Sequence, residues 1–324
     1  MNRRDLLKTG CATALGLLSF PLGWTAAATK KKQKVLYFTR SAGFVHSVVN
    51  RRGGELAHSE KLLTEMGKRA GFDVECTQDG RVFDGDLDQY DAVAFYTTGD
   101  LTKPVIEKAP AKQAARKAAK QAAKKTAKKQ PAVREDTPPM SPAGKRRLLD
   151  AIAAGKGFIG FHSATDTFHS GPRNEIQTKV DPYIAMLGGE FVKHDKQQEA
   201  SLLLVSRFPG AGDLGMAEGL SFYEEWYALK NFAKDLHVII VQETGKMQGP
   251  SYQRPDFPMT WARMHGKGRV FYTSLGHRED IWTNPFFQAI ALGGIAWSLG
   301  NVRADIKPNI DKVTPHANQL TRAT

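Results

Sequence analysis

Nine histidines are spread through a chain of 324 residues, and four of them sit in short polar clusters that follow apolar runs. Histidine is the side chain that most readily serves as acid, base or metal ligand near neutral pH, so these four come first. His46 closes Arg40-Ser-Ala-Gly-Phe-Val-His46, and His162 opens His162-Ser163-Ala164-Thr165-Asp166-Thr167. His194 ends Gly188-Gly-Glu-Phe-Val-Lys-His194, and His277 opens His277-Arg278-Glu279-Asp280. Carboxylates accompany them. Glu224-Glu225 precede Trp226-Tyr227, and Asp166 lies one helical turn after His162. Thr97-Thr98-Gly99-Asp100 is a further polar cluster.

Three chemistries fit these residues. In the first, His162 and His277 act as acid and base on a substrate hydroxyl or carbonyl, with Glu224 or Glu225 orienting one of them. In the second, His46, His162, His194 and His277 with a glutamate hold a divalent metal. The set allows this without requiring it, because no close H-x-H or H-x-x-x-H pair occurs. In the third, Ser163 is a nucleophile with His277 as base, although Ser163-Ala164 lacks the G-x-S-x-G frame of that chemistry. His46, Thr98, Ser163, Asp166, His194 and Trp226 are the expected substrate contacts. Plainer roles compete: His46 as a helix cap or backbone partner, Asp166 as an N-cap, and Trp226 as core packing. His58, His169, His237, His265 and His316 read as surface or packing residues.

Positioning such clusters requires strands that end near one another. Lys34–Thr39, Phe72–Thr77, Asp91–Tyr96 and Gly157–His162 are short apolar strand candidates. Leu56, Leu63, Met66 and Ala70 recur at helical spacing before the C-cap glycine Gly71, and Ser141-Pro142 starts a helix that runs to Gly155. Strands alternating with amphipathic helices predict a doubly wound, mostly parallel α/β sheet of three layers. In such sheets ligands sit beyond the C-terminal strand ends, where the polar clusters fall. The second half is less regular. Ala200–Val205 and His237–Val241 read as strands, and Met259–Met264 and Arg269–Ser274 as a hairpin turning at residues 265–268. A last helix follows Asn284-Pro285 and ends near Gly300. The tail, residues 304–324, has little apolar content and reads as loose.

The formal charge of +13 is unevenly placed. Residues 103–136 carry +8 and residues 1–28 carry +2, leaving +3 for the rest, so the basic balance belongs to appendages and not to the candidate site. Residues 103–140 read as a Lys/Ala-rich low-complexity insertion, a fluctuating surface helix outside the core. It offers weak, salt-sensitive contact with polyanions. Without interleaved aromatics it offers no specific nucleic-acid recognition. Residues 1–28, with Arg3-Arg4, a modest apolar core and Ala26-Ala27-Ala28, resemble a twin-arginine export signal. Residues 29–33 form a basic spacer. An exported protein of the periplasm or cell envelope is expected, with no membrane span after cleavage. Of two cysteines, Cys76 alone then remains, which excludes a disulfide framework and a cysteine-rich metal site and leaves a buried, inert thiol.

Several motifs in register resemble the ThuA-like (trehalose utilisation) family. They are Gly155-Lys-Gly-Phe-Ile-Gly-Phe-His-Ser-Ala-Thr-Asp-Thr167, Leu187-Gly-Gly-Glu-Phe191 with His194, and Met259-Thr-Trp-Ala262 leading to Gly266-Lys-Gly-Arg-Val-Phe-Tyr-Thr-Ser-Leu-Gly-His277. The resemblance covers residues 34–303 apart from the insertion. It implies a flavodoxin-like fold of the class I glutamine amidotransferase type, a carbohydrate substrate and a role in sugar breakdown, with 3-keto-glycosides as the expected chemistry. True amidotransferases carry a cysteine on the strand-to-helix elbow. Here Gly160–Ala164 places His162 at that position, while His277-Arg278-Glu279 keeps the family's His-x-Glu spacing. Without the thiol, glutamine hydrolysis through a thioester has no nucleophile. No cofactor is required by the sequence. A non-catalytic sugar-binding or scaffold protein on the same fold is the alternative.

Overall fold

Residues alternate along the first strand: Val35 and Tyr37 belong to one apolar core cluster, Leu36 and Phe38 to the other. A strand apolar on both faces must be covered on both, the condition for a parallel sheet between helical layers. The computed structural model describes residues 31–105, 137–211 and 220–320 and shows that arrangement. The strands are β1 (Lys34–Phe38), β2 (Asp73–Thr77), β3 (Ala92–Phe95), β4 (Gly157–Phe161), β5 (Glu190–Lys193), β6 (Gln198–Leu204), β7 (Leu220–Glu224), β8 (Ala228–Lys230), β9 (His237–Gln242), β10 (Phe257–His265) and β11 (Gly268–Thr273). The helices are α1 (His58–Ala70), α2 (Pro142–Ala154), α3 (Pro182–Leu187), α4 (Glu279–Thr283), α5 (Pro285–Ser298) and α6 (Ile310–Val313).

Strands β2-β1-β3-β4-β11 pair in parallel. That is the flavodoxin-like doubly wound order, with its reversal between β1 and β3. Strands β10, β9, β6 and β7 extend the sheet antiparallel, and β5 pairs with β8 in a separate two-stranded ribbon. Helices α1, α4 and α5 bury Leu63, Met66, Trp282, Phe287 and Ile290 against one face. Helices α2 and α3 bury Leu148, Ile152, Ile184 and Leu187 against the other. The expected three-layer α/β fold is present, with its parallel character confined to one half of the large sheet. Strands β5, β7 and β8 have no counterpart among the expected elements.

Local chemistry explains the boundaries. The Ser141 hydroxyl accepts from the Gly144 N–H at 2.9 Å, capping α2 ahead of Pro142. The Asn284 side chain caps α5 in the same way. Cys76 lies on β2 under α1, where burial pushes its thiol up to about 12 and makes it unreactive at neutral pH. Among the described residues, no helix is long and apolar enough to cross a membrane.

Two expected boundaries are corrected. Residues 137–140, read as part of the insertion, are packed into the body: Thr137 and Met140 are buried, and Gly80 donates its N–H to the Pro138 carbonyl at 2.8 Å. Arg40 donates to the carbonyls of Leu101, Lys103 and Thr137 at 3.2, 2.6 and 2.9 Å, so one buried guanidinium fastens both sides of the intervening stretch. The tail, read as loose, is docked as far as residue 320. The Asn309 side chain accepts from the Val238 N–H at 2.6 Å and donates to its carbonyl at 3.0 Å. Asn318 does the same to Phe232 at 2.9 and 3.2 Å. An asparagine amide matches a peptide edge, and Ile310 and Ala317 supply buried apolar anchors that a low average hydropathy conceals. The export signal at 1–28 and the Lys/Ala-rich tract at 106–136 lie outside the described residues.

Gly294 lets α5 approach the sheet, and Gly293 lets it approach the turn at Pro209-Gly210. A Cβ on Gly294 would meet the Phe271 ring at 2.4 Å, and one on Gly293 would meet the Pro209 carbonyl oxygen at 1.9 Å. Replacing Gly293 with Ala is expected to lower unfolding free energy by about 1–3 kcal/mol through overpacking. Urea denaturation checks this, and an unchanged midpoint would rule out so close an approach.

Candidate active site

Strand β4 ends at Phe161, and the chain turns sharply at His162, whose φ is 39°. Left-handed backbone costs a non-glycine residue about 1–2 kcal/mol, so this turn is held by its surroundings. The Tyr272 hydroxyl donates to the His162 carbonyl at 2.7 Å, and His162 Nδ1 donates to the Ser274 carbonyl at 2.8 Å. The imidazole therefore presents Nε2 as its free edge. His46, after β1, starts a 3-10 turn without capping it through its side chain; its Nε2 instead meets the Tyr227 hydroxyl at 3.1 Å. His277 follows β11, and its Nε2 lies 3.0 Å from the Gln197 amide. The three rings form a nearly equilateral cluster, with centroids 5.1, 5.2 and 5.3 Å apart.

Glu225 joins them from the end of β7. Its Oε2 is 3.0 Å from His277 Nδ1, 3.6 Å from His162 Nε2 and 4.0 Å from His46 Nε2, while Oε1 is 3.3 Å from His194 Nδ1. Burial alone would raise this carboxyl, but His162 and His277 overrule it and hold Glu225 well below the usual carboxylate range. Burial, reinforced by neighbouring imidazoles, pushes His46 and His162 down and keeps them neutral. For His277 burial acts the same way, and the Glu225 carboxylate reverses it.

Despite these short distances, His162 Nε2, His277 Nδ1 and His46 Nδ1 are buried and have no aligned hydrogen-bond partner among the described residues. One donor atom from each of His46, His162, Glu225 and His277 falls within 4.8 Å of all the others. Unpaired buried polar atoms are costly, and a shared cation would satisfy them together. Three imidazoles and a carboxylate are a donor set suited to zinc and similar divalent metals. The bond from His162 Nδ1 to a backbone carbonyl is the outer contact that orients a ligating imidazole.

Other expected site residues divide sharply. His194 sits at the rim, 42% exposed, on the far oxygen of Glu225, so Glu225 takes its place in the donor cluster. Glu224, expected as a catalytic carboxylate, turns inward: it accepts from the N–H groups of Gly276 and His277 at 3.2 and 3.1 Å and fastens the His277 loop. Burial pushes its carboxyl up to about 7. Trp226 is fully buried in the core and donates to the Gln198 carbonyl, so it cannot face a sugar. Ser163 is also fully buried and is not among the residues that line the cleft. Thr98 donates to the Phe44 carbonyl at 2.8 Å and accepts from Gly43, serving the loop after β1. Asp166 faces the cleft but bonds to His169 instead of His162.

The cleft over this centre encloses about 470 Å³ and is lined by His46, Glu225, Tyr227, His194, Asp166, His169, Arg173, Phe44, Phe191 and Lys193. A larger groove of about 680 Å³, lined by Lys145, Arg146, Asp150 and Phe168, shares only His169 with it and holds none of the cluster. Sequence reading missed Gln197, read His169 as a surface or packing residue, and gave Glu190, which stands in one of its polar clusters, no role of its own; the Asp166-x-x-His169 spacing was a signal for His169.

Residues 132–298, half of the chain, match the family described as ThuA, trehalose utilisation. A ThuA-like protein from Bacteroides uniformis ATCC 8492 superposes with a TM-score of 0.51 at 15% identity, over 84% of this chain and 94% of that one. A ThuA-like protein from Parabacteroides merdae ATCC 43184 gives 0.49 at 16% identity, over 85% and 93%. No curated protein matches by sequence. At 15% identity the first of these speaks for the fold alone, whereas the sequence match spans the His162 elbow, Glu225 and the His277 loop. On that match, the chain belongs to the ThuA (trehalose utilisation) family.

Proposed function

We propose that this chain is an enzyme of sugar breakdown, acting on a keto-sugar or glycoside by acid–base chemistry in a cleft where His46, His162, His277 and Glu225 hold a divalent cation. One observation carries this reading: two buried ring nitrogens, His162 Nε2 and His277 Nδ1, converge on the Glu225 carboxylate without being satisfied by it. A cluster serving the fold alone would pair those atoms. Bound there, the cation would polarise a carbonyl or hydroxyl oxygen of the substrate.

The chain's own groups supply the rest. Tyr227 lines the cleft, and burial raises its phenol well above the ordinary range, so it remains a proton donor beside His46. His194, at the rim and against Glu225, connects the centre to solvent. Glutamine hydrolysis is disfavoured because His162 occupies the elbow, while the Cys76 thiol lies against the Glu60 carbonyl under α1. The twin-arginine-like pattern of residues 1–28 supports a place for this activity in the cell envelope.

Titrating the dialysed full-length protein with Zn²⁺ by calorimetry is expected to show one tight equivalent. Affinity should fall at least about tenfold in His162→Ala and in Glu225→Gln. Equal affinity in all three proteins would remove the cation from the proposal. Consumption of keto-sugars by wild type should vanish in His162→Ala, and persistence of turnover would overturn the role of that imidazole. The strained turn adds a stability test: His162→Gly should be more stable than His162→Ala by about 1 kcal/mol, because only glycine adopts φ of 39° freely. Thermal melts of the two variants decide it.

A further inference from the structure

A second polar assembly stands on the cleft wall. The His169 ring is engaged at both edges, Nε2 at 2.7 Å from Asp166 Oδ1 and Nδ1 at 3.2 Å from Glu190 Oε1. Burial would lower this imidazole, but the two carboxylates raise it, and both ring N–H groups are committed. Glu190 is fully buried; it also accepts from the Ser170 N–H at 3.0 Å and from Asn231 Nδ2 at 2.7 Å, with Lys230 at 3.9 Å. Arg173 Nη2 approaches Asp166 at 3.4 Å and reaches the same oxygen as His169. Both side chains therefore land on Oδ1. Among the described residues Oδ2 accepts nothing, and Asp166 lines the cleft.

Backbone strain marks the same place. Among the described residues, the non-glycine positions with positive φ are His162, Phe168 at 55° and Asn231 at 54°. Phe168 immediately precedes His169, and Asn231 is the residue whose side chain holds Glu190. Such conformations cost about 1–3 kcal/mol each and persist where a site needs them. An ordinary surface ion pair needs neither strained neighbours nor a fully buried anchor.

We propose that Asp166 is a substrate-binding carboxylate of this cleft, its Oδ2 accepting a hydrogen bond from a hydroxyl of a neutral sugar, and that His169, clamped by Glu190, is the positioning residue that keeps that oxygen turned to the ligand. This rests on the carbohydrate reading above. An O–H···O⁻ bond is short and strong, and a carboxylate with one oxygen already committed offers the other in a fixed direction. An anionic ligand group would be repelled there. Phe44, 66% exposed, adds an apolar face for sugar C–H groups.

The test uses Zn²⁺-loaded full-length wild type, Asp166→Asn and His169→Gln, each titrated with trehalose, glucose and 3-keto-glucose by ligand-observed NMR. Wild type should bind at least one of these sugars, and both variants should bind it about tenfold or more weakly. Binding should also move the His169 ring ¹⁵N resonances of wild type, because loading Oδ2 weakens Oδ1 as an acceptor; this readout decides the matter should a variant fail to fold. Sugar bound equally by wild type and Asp166→Asn, or ring resonances that do not move, would overturn the proposal and leave the carbohydrate reading standing. Failure of wild type to bind any of the three would overturn both.

Discussion

Everything at this centre is arranged around a carboxylate that could not stay ionised by itself. Glu225 is mostly removed from water, and desolvation favours its neutral form. Imidazoles from His46, His162, His194 and His277 approach it within 4.0 Å, and His162 and His277 reverse that preference. Those rings are delivered by segments far apart in sequence, so the electrostatics of the site depend on the topology. The neighbouring residue shows what happens otherwise: Glu224, satisfied only by backbone N–H groups, has its carboxyl pushed up to about 7. Two adjacent glutamates thus take different forms, one fastening a loop and the other binding the cluster together.

Topology delivers the groups in two ways. His46, His162 and His277 follow β1, β4 and β11, parallel neighbours on either side of the reversal in strand order, where such sheets open a crevice. Glu225 arrives from the opposite end of the sheet, at the close of the antiparallel edge strand β7. The antiparallel extension is therefore more than an appendage to a flavodoxin-like core, because it carries the carboxylate back over the strand ends. On this fold an amidotransferase would carry a thiol at the elbow. Placing His162 there retains the strained turn and puts an imidazole where that nucleophile would stand.

The parallel half of the fold was legible because each signal was local. Ser141-Pro142, Gly71, Gly155 and Asn284-Pro285 mark helix ends by their own chemistry, and residues 265–268 mark a hairpin. Strands β5, β7 and β8 were not, since three to five residues paired at long range carry no periodicity of their own. The histidines were legible by position at strand ends. The side each neighbour faces was not: Glu225 points into the cleft, and Trp226 next to it packs into the core. Residue type argued for an aromatic sugar face there, and burial decided against it. The tail misled for a related reason, its anchoring by Asn309 and Asn318 being invisible to hydropathy.

Strain and burial together separate working groups from supporting ones. His162, Phe168 and Asn231 adopt a conformation that disfavours their side chains, and each is bound to a fully buried neighbour or lies beside one of the two polar assemblies. Relaxing any of these turns would swing His162 off Glu225, or His169 off Asp166. The energy stored is small beside the burial of two apolar cores, so the sheet can hold it. A cleft shaped only for packing would have discarded that strain. Its retention beside both Glu225 and Asp166 is what the proposed ligand site would require.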